Sequence, residues 1–150
     1  APASTGIIAR YVGGAPAITI GYAKKTIGPA GGSLRLLDFE IVVPPNAVSK
    51  STEFMIRLPV DPHERELVMA EFGPHGASFA VPVTLRFPLA GTTLEGDGAA
   101  AVVWWDGEVW RRLESRTTAD GRIEADTDHF STYGTSDEGE SYFGELSSGG

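Results

Sequence analysis

The stretch "AAAVVWWDGEVWRRLES" (99–115) decides the fold, because it reads as two short strands meeting at one turn. Its central Asp106–Gly107 is a dipeptide favoured in two-residue type I′ hairpins, where both turn residues need positive φ. A second Asp-Gly, Asp120–Gly121, leads into "RIEADTDHFSTYG" (122–134), so three strands follow one another on hairpin signals. Upstream, "VPVTLRF" (81–87) alternates, which predicts Val81, Val83, Leu85 and Phe87 inward and Thr84 and Arg86 outward. "TEFMIRLPV" (52–60) places Phe54, Ile56, Leu58 and Val60 on one face by the same rule. "FEIVVPPNAV" (39–48) is a strand stopped at Pro44–Pro45, which have no N–H to give to a ladder. "LVMAEFGPHGASF" (67–79) reads as a strand, a Gly-Pro turn and a short strand, and "AITIGYAKKTI" (17–27) as a first strand. About eight short strands with turns between them predict an all-β fold, an antiparallel β-sandwich.

Composition fits that class. The chain has 150 residues, about one domain's worth, with 41% apolar content and 19 Gly and 10 Pro spread as punctuation. Three parts are expected: a loose, Gly/Pro-rich arm over 1–16, the sandwich over 17–136, and an acidic, Gly/Ser-rich tail over 137–150. No apolar run reaches bilayer length, so no membrane insertion is expected. With no cysteine, disulfides and thiolate chemistry are excluded. The net charge of −8 is uneven: residues 1–116 carry 12 acidic and 11 basic side chains, whereas residues 117–150 carry 8 acidic and only Arg122 as a base. A phosphate backbone would be repelled by that end, and no basic patch elsewhere compensates, so nucleic acid is not an expected partner.

The run "IGPAGGSLRL…FEIVVPPNAV…EFMIRLPV…FGPHGASFAVPVTLRFPL" resembles the ZU-five domain, shared by ankyrins, netrin receptors of the uncoordinated-five group, zonula occludens scaffolds and the death-domain protein PIDD. Its carriers are the Gly-Gly entry into a strand, the "VPPNAV" corner, the "GPHG" turn and the "PVTLRFPL" strand, over about residues 27–89 with a looser continuation to 136. The resemblance implies a β-sandwich working as a protein-interaction or structural module, with other domains of the same or a neighbouring chain as partners. "HFSTY" (129–133) is also like the closing strand of many bacterial surface proteins with this domain type, which implies a bacterial, extracytoplasmic or cell-surface setting. The death domain and second sandwich of the eukaryotic relatives are not seen in this sequence.

The resemblance implies a second possibility at His129-Phe130-Ser131, since such a triplet is cut by its own serine in PIDD. Self-cleavage requires Ser131 Oγ to attack the Phe130 carbonyl, an N→O acyl shift to an ester, and hydrolysis of that ester. His129 is the only base in the triplet able to take the hydroxyl proton, and alternation places 129 and 131 on one strand face. An unstrained amide resists this, so local distortion is needed. Parity supplies a clue: Ile123, Ala125 and Thr127 read inward, which would leave Phe130 facing water beside acidic side chains. Burying such a ring is worth about 1.5–3 kcal/mol, so a bulge or kink between Asp128 and Ser131 is expected to return Phe130 to the core. The expected function is therefore an interaction or structural module, with a single-turnover self-processor as the alternative and no multiple-turnover enzyme. A purely structural last strand is the favoured reading of the triplet.

Other candidates carry less. Asp120, Asp126 and Asp128 invite calcium, but they lack a calcium-loop spacing and read as a solvated face. His63, His75 and His129 have no zinc-ligand spacing. Adjacent Trp104 and Trp105 point to opposite faces, and an exposed one beside Trp110 could stack on sugar, with packing across the hairpin as the plainer account. No cofactor and no metal are expected.

Overall fold

Phe39, Ile41 and Val43 are buried and alternate with the half-buried Glu40 and Val42, and Phe54 and Ile56 repeat the pattern in the next strand. This period of two gives each strand one apolar face, and two such faces closed on each other make the molecule. A computed structural model of the chain describes residues 8–14, 21–59, 66–74, 77–137 and 140–141. Twelve strands are present among them: β1 Tyr22–Ile27, β2 Gly32–Leu36, β3 Phe39–Val43, β4 Thr52–Arg57, β5 Met69–Gly73 and β6 Ser78–Pro88, followed by β7 Ala101–Trp105, β8 Trp110–Arg112, β9 Ser115–Thr117, β10 Arg122–His129, β11 Thr132–Ser136 and β12 Glu140–Ser141. One sheet runs β1-β4-β5-β11-β7-β8-β12 and the other β2-β3-β6-β10-β9. All pairs are antiparallel except the two-residue β12, which lies parallel to β8. The fold is an all-β sandwich.

Two of the strands beyond the expected eight arise because two apparent strands are each divided between sheets, and β12 lies in the segment expected as tail. "EVWRRLES" becomes β8 in one sheet and β9 in the other, and "RIEADTDHFSTYG" becomes β10 and β11 in the same manner. The Asp106–Gly107 turn is also wider than a two-residue hairpin. Trp105 pairs with Trp110, leaving residues 106–109 as the loop. Asp106 Oδ1 accepts the backbone N–H of Glu108 at 2.8 Å and of Val109 at 2.9 Å, and Gly107 takes φ +103°. The Val109 and Glu108 amides and Arg111 hold the Asp106 carboxyl down to about 2.

The core between the sheets gathers Phe39, Ile41, Phe54, Ile56, Phe72, Leu85, Phe87 and Ile123 among others. The "GPAGG" and "VPPNAV" segments lock together at one end. Asn46 N–H donates to Pro29 O at 2.8 Å, and a Cβ on Gly31 would come within 2.6 Å of Val43 O. Asn46 itself takes φ 70°, a conformation its short polar side chain tolerates.

Two expectations fail here. Val81 is 37% exposed, not inward. Between Thr127↔Val83 and His129↔Ser78 the ladder skips four residues of β6 against one of β10, and Val81 rides on that irregularity. The N-terminal arm is docked, not loose, over residues 8–14: Ile8 and Ala9 are buried, and Arg10 and Tyr11 form bridges to Leu67 and Thr92. Val60, His63 and His75 lie outside the described residues, as do residues 1–7, 15–20 and most of the tail. No helix among the described residues is long and apolar enough to cross a membrane.

Candidate functional site

His129, Phe130 and Ser131 occupy the point where the chain leaves one sheet for the other. β10 ends at His129 in the five-stranded sheet, and β11 begins at Thr132 in the seven-stranded one. The register shift between Thr127 and His129 breaks the inward parity of Ile123, Ala125 and Thr127, as the isolated aromatic required. Phe130 is consequently buried at 2% exposure. Its ring centroid lies 4.8 Å from Phe79, 5.9 Å from Phe54 and 6.1 Å from Phe72, so it joins residues of β4, β5 and β6.

The polar partners of the corner are specific. Tyr133 hydroxyl donates to His129 O at 2.7 Å, and Thr127 Oγ1 lies 2.8 Å from that hydroxyl and 3.2 Å from His129 Nδ1. Tyr133 is fully buried, and its desolvation pushes the phenol above its ordinary pKa, so it remains a donor. His129 Nδ1 also sits 3.3 Å from Asp128 Oδ1. Its other nitrogen, Nε2, is buried without a hydrogen-bond partner, and so is Trp104 Nε1; the two rings meet edge to face at 4.5 Å. Ser131 Oγ donates to the Trp105 carbonyl at 3.0 Å.

The predicted trio is contiguous, yet its base and nucleophile are not hydrogen-bonded to each other. Ser131 is directed to a carbonyl of β7, which cannot accept a proton covalently, and His129 presents Nδ1 to Thr127 and Asp128. In this arrangement the serine is not activated. Thr127, Tyr133 and Trp104 take part in the corner, although sequence spacing alone attached none of them to the triplet. The inward parity of Thr127 and the spacing of Tyr133 three residues past Phe130 were the available signals.

The acidic residues considered for calcium have other occupants. Asp126 Oδ1 accepts Thr84 Oγ1 at 2.8 Å and Arg116 Nη2 at 3.0 Å; Asp120 accepts Thr118 Oγ1 and, at 3.0 Å, Arg122 Nε. With Glu124 between Arg86 at 2.7 Å and Arg116 at 2.6 Å, and Glu40 between Arg86 and Arg122, they form a charge ladder on the outer face of the five-stranded sheet. Among the described residues no group of three or more His, Asp or Glu side chains is arranged to hold a metal ion. Of the tryptophans, Trp104 and Trp105 are both half-buried, and Trp110 is 1% exposed and packs edge to face on Trp105 at 5.5 Å. No family model matches this chain, and no curated protein matches it.

Proposed function

We propose that this chain is a structural and protein-interaction module, related to the ZU-five domain, of a larger bacterial-type extracytoplasmic or cell-surface protein. Its partners are other protein domains of the same or a neighbouring chain. The supporting observation is that the His129-Phe130-Ser131 corner is occupied by packing: the ring of Phe130 joins three other phenylalanines, and Ser131 Oγ–H goes to Trp105 O. A buried ring and a hydroxyl spent on a carbonyl suit a tie between sheets. Intact mass of the purified chain under denaturing conditions tests this reading, which expects one full-length species. Fragments 1–130 and 131–150 would overturn it.

One observation favours self-cleavage between Phe130 and Ser131 as a second reading. The Phe130–Ser131 peptide lies at the sheet crossing, beside a histidine whose Nε2 is buried without a partner. A rotation of Ser131 about χ1 away from Trp105 O would be the first step, and the cut strands would stay paired in their two sheets. Under this reading Ser131→Ala abolishes the fragments. Fragments that persist in that variant come from a contaminating protease.

A further inference from the structure

The segment Ile8–Val12 is held mainly by parts of the chain far from it in sequence, with one local bond from Gly14 N–H to Tyr11 O at 3.2 Å. Ala9 N–H donates to Thr135 O at 2.8 Å and Ala9 O accepts Val68 N–H at 2.8 Å. Tyr11 N–H donates to Glu66 O at 3.0 Å, Val12 N–H to Gly91 O at 2.9 Å, and Arg10 O accepts Thr93 N–H at 2.9 Å. Arg10 N–H adds a bond to Thr93 Oγ1 at 3.1 Å. The segment thus spans between residues 66–68 and 91–93 as a short extended strap.

Beneath Ile8 lies a second apolar cluster, while Ala9 and Tyr11 of the strap join the main core. Ile8 at 3% exposure closes over Leu67, Met69, Val103 and Trp110, with Trp105 packed alongside. Gly134 is the floor of this seat: a Cβ there would come within 3.0 Å of Ile8 Cδ1 and of Val68 O. Without the strap, this apolar cluster and the Val68, Thr93 and Thr135 backbone groups would lose their cover. Such a combination of free backbone groups and an apolar pocket is what an added strand uses.

The strap's other end is a glycine turn, closed by Gly14 N–H on Tyr11 O. Gly13 and Gly14 follow it, neither has any atom within 4 Å of an added Cβ, and Gly14 takes φ +87°. All the remote partners lie beyond Gly13 and Gly14 in the chain, so the same segment of another copy would meet the same groups. Exchange of an identical element about a glycine hinge is a low-cost route to a dimer.

We propose that Ile8–Val12 is an exchangeable strap and that a second copy of this chain is its partner: each strap seats over Leu67, Met69, Val103 and Trp110 of the other copy. This goes beyond the module reading, and self-cleavage at Phe130–Ser131 neither requires nor prevents it. The test is light scattering of the full chain after size exclusion over rising concentration, with brief warming to open the strap. A dimer that grows with concentration is expected. Deleting Gly13 and Gly14 lowers the effective concentration of each strap at its own seat and should raise the dimer fraction on the order of tenfold.

Specificity is read with Ile8→Asp, which disables the strap and leaves the seat. This variant stays monomeric, and a synthetic peptide of residues 6–14 raises its melting temperature, whereas the same peptide carrying Ile8→Asp does not. If Ile8→Asp fails to fold, binding of the labelled peptide to the unaltered chain supplies the same readout. A chain that remains monomeric at every concentration with no response to the peptide overturns the proposal. So does a dimer that forms equally with Ile8→Asp.

Discussion

At its start β10 places Arg122, Glu124 and Asp126 in a charge ladder on the outer face of its sheet; at its end it delivers Phe130 into an aromatic cluster between the sheets. Both regions join strands remote in sequence. The ladder ties β3, β6, β9 and β10 within one sheet, whereas the corner ties the two sheets to each other. Side chains of the ladder are partly solvated, so their Coulomb attraction is offset by hydration. Phe130 has no such offset, because water is excluded around it. Sandwich closure therefore depends on the corner, and the ladder adds order and pH sensitivity to one face.

The largest expected effect comes from emptying the corner. Phe130→Ala should cost about 3–5 kcal/mol in urea unfolding, since a buried ring leaves a cavity among Phe54, Phe72 and Phe79. A loss no larger than that of a ladder substitution would remove the contrast between the regions. Next is Gly134→Ala, which forces Ile8, Met69 and the Val68 carbonyl to give way and should cost about 1–3 kcal/mol. Its distinctive readout is faster amide exchange at Ala9 and Val68, the bonds of the strap.

Acid should separate the regions by mechanism. Hydrogen bonds from Thr118 and Arg122 hold Asp120 down to about 2, and those from Arg116 and Thr84 lower Asp126 against its burial. Burial raises Glu124, but Arg86 and Arg116 outweigh it and the net direction is down. Carboxyls depressed in the fold contribute stability above the unfolded pKa near 4, and that contribution disappears as pH falls towards 2. Thermal unfolding followed from pH 5 to pH 2 should thus lose stability in the lower half of that range. In an Arg116→Ala variant that dependence should be shallower, while its loss at neutral pH is the smallest expected, about 0.2–1 kcal/mol.

Much of this contrast was legible in the residues. Alternation in "TEFMIRLPV" marked Phe54 and Ile56 as core, and the misplaced parity of Phe130 marked the kink. The same reasoning missed Leu113, where the chain passes from β8 to β9, because "WRRLES" contains no aromatic out of place to betray the crossing. That crossing accounts for one of the strands the count of eight left out. Asp106–Gly107 announced a turn but not its length, which depends on Asp106 capping two amides rather than on the dipeptide alone. The docking of Ile8 and Ala9 had no local signal at all, since its cause lies in Val68, Thr135 and Trp110 far along the chain. Within the triplet, sequence spacing placed base and nucleophile as neighbours; the crossing between sheets sent Ser131 to Trp105 instead.

Parallel urea unfolding of the original chain, Phe130→Ala and Ser131→Ala, each confirmed as one full-length mass beforehand, addresses the corner most directly. A structural tie predicts a loss of about 3–5 kcal/mol for the ring and about 1 kcal/mol for the hydroxyl, with a single species in all three samples. Equal losses, or two fragments in the original chain that vanish in Ser131→Ala, would contradict it.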